Sequence, residues 1–355
     1  MECPGPRPLT PVSTNRAPTL ILLLASVVAG ALCACGDGAT EPEGPPVKLA
    51  CTAADPLCTE ALPLAQGRWL AVYRTHSLAT GDGAVKHAVV VVHGADRNGD
   101  TYFVTMVEAL RAAGALPGTL VVAPDFKTAE DSPLPGELYW SSEGWKHGNL
   151  SAEPDPLVRI SSFAAVDTLL RVLADRSRFP RLETIVVTGH SAGGQFTHRY
   201  AGASPVAERQ RGLPVRFVVA NPSAYLWLGP ERPFEDGFVR PDTATCPTWN
   251  GWPYGLANRN TYARRVDDAG IRRQLSTRDV RILLGDADTL TANLDTSCAA
   301  NLQGRRRYDR GRALVRFMDR YFPGHAHRES TVPGVGHTSL GMYNSAEGMA
   351  ALTVW

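Results

Sequence analysis

The stretch Thr184-Ile185-Val186-Val187-Thr188-Gly189-His190-Ser191-Ala192-Gly193-Gly194 decides how this 355-residue chain is read. Its first five residues form a β-branched run suited to a strand buried on both faces of a parallel sheet. Gly-x-Ser-x-Gly follows, and a helix-compatible sequence opens at Ala192. A serine placed there sits on a sharp strand-to-helix turn, its hydroxyl lifted clear of the sheet. Gly189 and Gly193 stand where side chains would clash with neighbouring elements, and the helix N-terminus favours negative charge developing nearby. The five-residue string alone arises by chance in glycine-rich chains. Between an apolar strand and a helix it points to Ser191 as a nucleophile.

Working outward, the same rhythm recurs. Short β-branched runs at 69–75, 88–92, 119–123, 184–188, 215–220, 280–284 and 328–332 alternate with helix-length amphipathic stretches. The helices fall near 101–113, 161–176, 192–203, 259–275 and 305–320. Strands alternating with helices predict an α/β fold, a mostly parallel central sheet with helices on both faces. Two segments break the rhythm, 126–159 and 226–256, rich in Pro, Gly and aromatic residues. They hold Trp140, Trp145, Trp227, Trp249 and Trp252, five of the seven tryptophans. Both follow strands at the sheet edge where open α/β folds bind ligands. Most of these rings are expected to pack the loops' own small cores, with one or two lining a cleft.

The serine needs partners. VVVVHGA (89–95) ends a strand in a His-Gly turn, where Gly94 lets the backbone aim the Ala95 N–H at a substrate oxygen. With the Ala192 N–H it would form an oxyanion hole, while His93 is read as bracing the loop. A base is expected late in the chain. TVPGVGHTSLG (331–341) places His337 between glycines just past the last strand; His325 and His327 precede that strand and read as surface positions. His190, beside Ser191, is directed away from it by the turn. VRILLGDADTL (280–290) offers Asp288 as the acid after Gly285, with Asp286 its rival and Asp295 a distant third; each could instead cap a turn. The order Ser191, Asp288, His337 is one of three in which such a trio occurs.

From about Arg68 onward the chain resembles the α/β-hydrolase fold, through the serine turn, the oxyanion turn, the acid and the late histidine. It looks most similar to secreted esterase- and lipase-like members, carrying HGADRNGDTYF (93–103), NPSAYLWL (221–228) and Cys-Pro-x-x-x-x-Trp-Pro-Tyr-Gly-Leu (246–256). The resemblance implies a cofactor-free serine hydrolase acting on carboxylic esters, small or polymeric, through an acyl-enzyme. A peptidase of the same fold and a catalytically silent tethered binding protein are the alternatives; the intact trio argues against the second. One departure is a long segment 289–312 with Arg305, Arg306, Arg307 and Arg310, read as a solvated basic face opening a helix.

The N-terminus speaks to location. Arg7 and Arg16 precede an apolar run from Leu20 to Leu32 that ends in small residues and cysteine, a secretory signal over 1–34. Leu32-Cys33-Ala34-Cys35 resembles a lipobox with Cys35 as the lipidated residue, giving a membrane-anchored bacterial lipoprotein. A plain cleavage, leaving a periplasmic or extracellular protein, is the alternative. Residues 35–66 read as a flexible tether, and 67–355 as the catalytic domain. Four cysteines then remain, an even number suited to an oxidising compartment: Cys51 with Cys58 locally, and Cys246 with Cys298 joining two long loops. No cysteine or histidine cluster suggests a metal. Removing 1–34 takes away Arg7, Arg16 and Glu2, leaving 34 basic against 34 acidic residues. That balance carries no footprint for nucleic acid, and leaves the lipid as the attachment to membrane.

Overall fold

Four consecutive valines, Val89 to Val92, show why the sheet must be covered twice. Successive strand side chains point to opposite faces. Val89 and Val91 belong to one buried cluster and Val90 and Val92 to another, and all four are fully buried. Burying each is worth roughly 1.5–2 kcal/mol, which only a two-sided packing supplies.

The computed structural model describes residues 50–152, 158–207 and 212–353. The chain opens with β1 (Thr59–Pro63) and β2 (Trp69–Arg74), followed by β3 (His87–Val92), α1 (Gly99–Ala112) and β4 (Thr119–Pro124). Next come α2 (Gly144–His147), α3 (Ser162–Leu173), β5 (Thr184–His190), α4 (Ala192–Ala203) and β6 (Val215–Ala220). A hairpin of β7 (Arg232–Phe234) and β8 (Gly237–Val239) precedes α5 (Asp268–Thr277) and β9 (Val280–Gly285). The chain ends with α6 (Cys298–Asn301), α7 (Arg307–Tyr321), β10 (Arg328–Val332), α8 (Ser339–Asn344) and α9 (Ala346–Thr353).

The main sheet has eight strands in the order β1-β2-β4-β3-β5-β6-β9-β10. From β4 to β10 every pairing is parallel; β2 runs antiparallel to β1 and β4. Tyr102, Phe103, Met106 and Leu110 of α1, with Met342 and Leu352, cover the Val89 and Val91 face. Phe163, Phe196, Leu275 and Phe317, from α3, α4, α5 and α7, cover the other. The expected mostly parallel α/β sheet is therefore the observed one. Because β3 lies between β4 and β5, the chain reverses direction across it, and the loops after β3 and β5 flank the resulting crevice.

Three local readings need correction. Residues 35–66 are not a tether throughout: β1 pairs along its whole length with β2, and the Cys51–Cys58 disulfide holds its approach. The five residues of β1, TEALP, lack the apolar continuity that marks the inner strands. The helix read over 259–275 is α-helical only from Asp268, after a single 3-10 turn at Ala263–Arg265, because the Asp267 side chain accepts from the Gly270 N–H and caps it there. His327 is no surface residue. It is buried with its Nε2 2.8 Å from the Leu275 carbonyl oxygen, below the end of α5. The signal segment, Cys35 and the tether up to residue 49 lie outside the described residues.

Burial, with a smaller push from His325, drives the His327 imidazole down to about 4. An unfolded histidine titrates near 6.5, so between these values the unfolded chain binds a proton that the folded chain refuses. The stability is present above about 6.5 and is lost as pH falls toward 4. Urea midpoints should therefore fall between pH 7 and pH 4.5, and more shallowly for His327→Asn; equal slopes would remove His327 from this account.

Candidate active site

Ser191 sits between β5 and α4 with φ 58° and ψ −119°, a conformation that costs a non-glycine residue on the order of 1–3 kcal/mol. What holds it there is crowding. A Cβ on Gly189 would stand 2.3 Å from the Gly193 carbonyl carbon, and one on Gly193 2.2 Å from the Val92 carbonyl oxygen. The Ser191 N–H donates to the Ala220 carbonyl oxygen at 2.9 Å, tying the turn to the end of β6.

Two distant loops meet this serine. His337, after β10, places Nε2 2.9 Å from Ser191 Oγ and Nδ1 2.8 Å from Asp288 Oδ2. With Nδ1–H donating to the carboxylate, Nε2 is left to accept from the hydroxyl. Asp288, after β9, is buried. Asp286 does not reach the imidazole; its carboxylate accepts from the Gly334 N–H at 2.7 Å and pins the turn leading to His337. Asp295 accepts from the Tyr254 hydroxyl at 2.6 Å and the Ser297 N–H at 3.0 Å. The structure thus brings Ser191, His337 and Asp288 together and leaves both rivals as turn residues.

The turn after β3 is braced as expected. Fully buried His93 accepts the Phe126 N–H at Nε2, 2.9 Å away, so its Nδ1–H donates to the Gly94 carbonyl oxygen at 2.9 Å. Burial holds this ring down to about 4, so it stays neutral. Ala95 and Ser191 line one cleft of about 250 Å³, with Asn98, Tyr102, His190, Asn293 and His337. Ala192 heads α4, whose first N–H groups have no partner within the helix.

None of the described tryptophans lines this cleft. Trp140, Trp145, Trp227 and Trp249 are buried, and Trp252 donates its ring N–H to the His147 carbonyl oxygen. Trp145 lies 4.6 Å from the His93 ring, supporting the turn after β3 from below. The Cys246–Cys298 disulfide joins the 226–256 insertion to α6.

The placement of four residues near the site escaped sequence reasoning. His190 makes no bond to Ser191, yet it lies against the His337 ring with centroids 4.5 Å apart and 3.2 Å from the Tyr102 hydroxyl. Burial above all, then the nearness of His337 and Arg307, holds it well below the usual histidine range, so it adds no charge there. Asn221 accepts from the Gly285 N–H at 2.8 Å and donates to the Gly336 carbonyl oxygen at 3.4 Å, linking the acid strand to the histidine loop. Its place at the head of NPSAYLWL, directly after β6, was the available signal. Arg307 and Arg310, read as solvated, are buried, and Arg307 contacts Asp288. Arginine is so seldom fully buried that composition alone pointed the other way.

A sheet wound this way, with a strained serine at its switch point and a histidine and carboxylate converging on it, defines a class of hydrolytic enzymes. The chain belongs to the alpha/beta hydrolase family, whose profile matches residues 89–352. No functionally curated protein matches it. Among solved structures it is similar to poly(aspartic acid) hydrolase-1 from Sphingomonas sp. KT-1, at 23% identity and TM-score 0.58, over 84% of this chain and 97% of that one. It is also similar to the poly(3-hydroxybutyrate) depolymerase LpqC from Bordetella parapertussis, at 24% identity and TM-score 0.54, over 81% and 87%. At such identities the likeness is one of fold.

The crowding at the serine turn makes a direct prediction. Gly193→Ala should lower stability by roughly 2 kcal/mol or more, since backbone oxygens, not flexible side chains, stand in the way. Thermal unfolding measures it, and an unchanged midpoint would mean that the turn has slack.

Proposed function

We propose that this protein hydrolyses carboxylic esters through an acyl-enzyme on Ser191. The observation that carries the proposal is the unbroken line from Ser191 Oγ through both nitrogens of His337 to a buried carboxylate, with spacings of 2.9 and 2.8 Å. Ser191 Oγ attacks the ester carbonyl while His337 Nε2 takes its proton. Asp288 fixes the imidazole tautomer and offsets the charge of the imidazolium. The Ala95 and Ala192 N–H groups hold the oxyanion, a contribution of about 3–4 kcal/mol per donor. The carbonyl–alkoxy bond then breaks, and the leaving alcohol departs with the proton from His337. Water, deprotonated by the same nitrogen, releases the acid and restores the serine. The small cleft, whose walls carry amides, hydroxyls, imidazoles and the Asp96 carboxylate rather than long aliphatic chains, favours short acyl groups.

Chain-length panels of p-nitrophenyl esters, with peptide amides and polyester films alongside, test this. Short esters should turn over fastest, and Ser191→Ala should abolish both turnover and labelling by a fluorophosphonate. Asp288→Asn should lose on the order of 10³–10⁴ in kcat with little change in KM, whereas Asp286→Asn stays within about tenfold of wild type. Turnover of amides but not esters would make the enzyme a peptidase, and near-normal rates in Ser191→Ala would sink the assignment.

Two disulfides suit an exported protein, and no helix among the described residues is long and apolar enough to cross a membrane. We propose that residues 1–34 are a signal peptide and that Cys35 carries lipid. In a Gram-negative host the full chain should partition with membranes; equal membrane association of Cys35→Ser would rule lipid anchoring out.

A further inference from the structure

Arg307 opens α7, where a solvated side chain was expected, yet its side chain is wholly buried. Its Nη1 lies 3.3 Å from Asp288 Oδ1, the carboxylate oxygen that His337 does not use. The same Nη1 donates to the Leu290 carbonyl oxygen at 2.7 Å, and Nη2 donates to that of Ala292 at 2.7 Å. One planar group therefore spans the acid and the backbone that follows it. The next residue, Asn293, lines the cleft beside Ser191.

Burying a guanidinium is expensive, and one carboxylate already engaged with an imidazole is a modest return for stability alone. The fork geometry suggests another purpose. Three acceptors held at once fix a direction as well as a charge, which a flexible ammonium does not. Without that hold, the Asp288 carboxylate is free to turn about its last bond, and the Nδ1 contact loses its fixed angle.

We infer that Arg307 is a positioning residue, which locks the second oxygen of Asp288 and the 289–293 wall of the cleft into one unit and so sets the orientation of His337. The inference rests on the acyl-transfer reading above. Displacements of an ångström at a reacting centre change rates by up to about 10²-fold, which sets the size of the effect.

A double-mutant cycle tests it, using kcat on a short-chain ester for wild type, Arg307→Gln, Asp288→Asn and the double variant. Arg307→Gln should lower kcat by roughly 10–100-fold in the wild-type background. In the Asp288→Asn background the same change should cost less than about threefold, since the group through which Arg307 acts is already disabled. KM should rise in both backgrounds as the wall loosens. Losses that multiply across the cycle, in variants that fold, would mean an independent structural role and overturn the inference. Fluorophosphonate labelling of wild type at Ser191 tests the acyl-transfer reading separately: absence of label defeats that reading, whereas label with a multiplicative cycle defeats only the role of Arg307. Should Arg307→Gln not fold, Arg307→Lys keeps the charge without the fork. It should lose about tenfold in kcat, again only where Asp288 is intact; wild-type kcat in that variant would overturn the inference.

Discussion

The turn at Ser191 has no room for a side chain on either flank. Gly189 faces the backbone of Gly193, and Gly193 faces the carbonyl oxygens of Val92 and His93. That contact fixes α4 against the end of β3, and with it the height at which the serine hydroxyl stands above the sheet. It also sets how near the turn after β3 comes to the serine, since that turn continues from the same two residues. Everything else at the site is arranged around a position determined by backbone crowding. The strain at Ser191 is held by the hydrogen bond to Ala220 and by the packing of α4, whose twelve residues are all buried.

Parallel sheets solve a second problem, that of bringing together residues nearly 150 positions apart. β5, β6, β9 and β10 are neighbours in order, so the loops at their C-terminal ends emerge side by side. Ser191, Asn221, Asp288 and His337 each follow one of these four strands in turn. Adjacent loops need crosslinks to hold a fixed spacing, and the structure supplies them as hydrogen bonds that range from buried at Gly285 and Asp288 to exposed at Gly334. Asn221 joins the β9 end to the histidine loop, and Asp286 pins Gly334. Arg307 joins the acid to the wall that carries Asn293. The buried ones, from Asn221 to the Gly285 N–H and from Arg307 to Asp288, lie in a low-dielectric setting where an unpaired polar atom is costly, so they restrict the loops to one arrangement.

What could be read in the sequence follows from this division. Ser191, His337 and Asp288 stood out because each lies in a short motif whose meaning depends on the strand just before it, and continuous β-branched runs mark those strands. The inner strands were legible for the same reason, whereas β1 pairs on one side only and lacks that signature. The tryptophans misled because their richness in two loops does not say whether a ring faces a cleft or the loop's own interior; Trp145 turned inward to support His93. His190 was read from the direction of its own turn, while its place is set by His337 and Tyr102, which come from other parts of the chain. Arg307 failed for the most general reason. A charged residue near a helix start is ordinarily solvated, and only the fold shows that three acceptors from the acid loop await it.

Substrate choice has a different physical basis from catalysis in this molecule. The serine turn, the histidine and the acid are held by backbone contacts and hydrogen bonds that do not face the cleft walls, and a fold of this kind does not by itself fix what is cleaved. The cleft walls can. Asn98 comes from the N-terminus of α1, Asn293 from the acid loop, and Thr338 and Ser339 from the start of α8. These are short polar side chains on three separate segments, so each can change without disturbing the sheet. On the proposed acyl-transfer reading, a small cleft of this chemistry gains little from hydrophobic contact, because it offers a long acyl chain nowhere to shed its hydration. Discrimination then rests on hydrogen bonds that a correct substrate completes and an incorrect one leaves unmade, where the penalty per buried polar group is about 1–3 kcal/mol. The wall at 289–293 is the segment on which both demands meet, since the guanidinium that orders it also holds the acid.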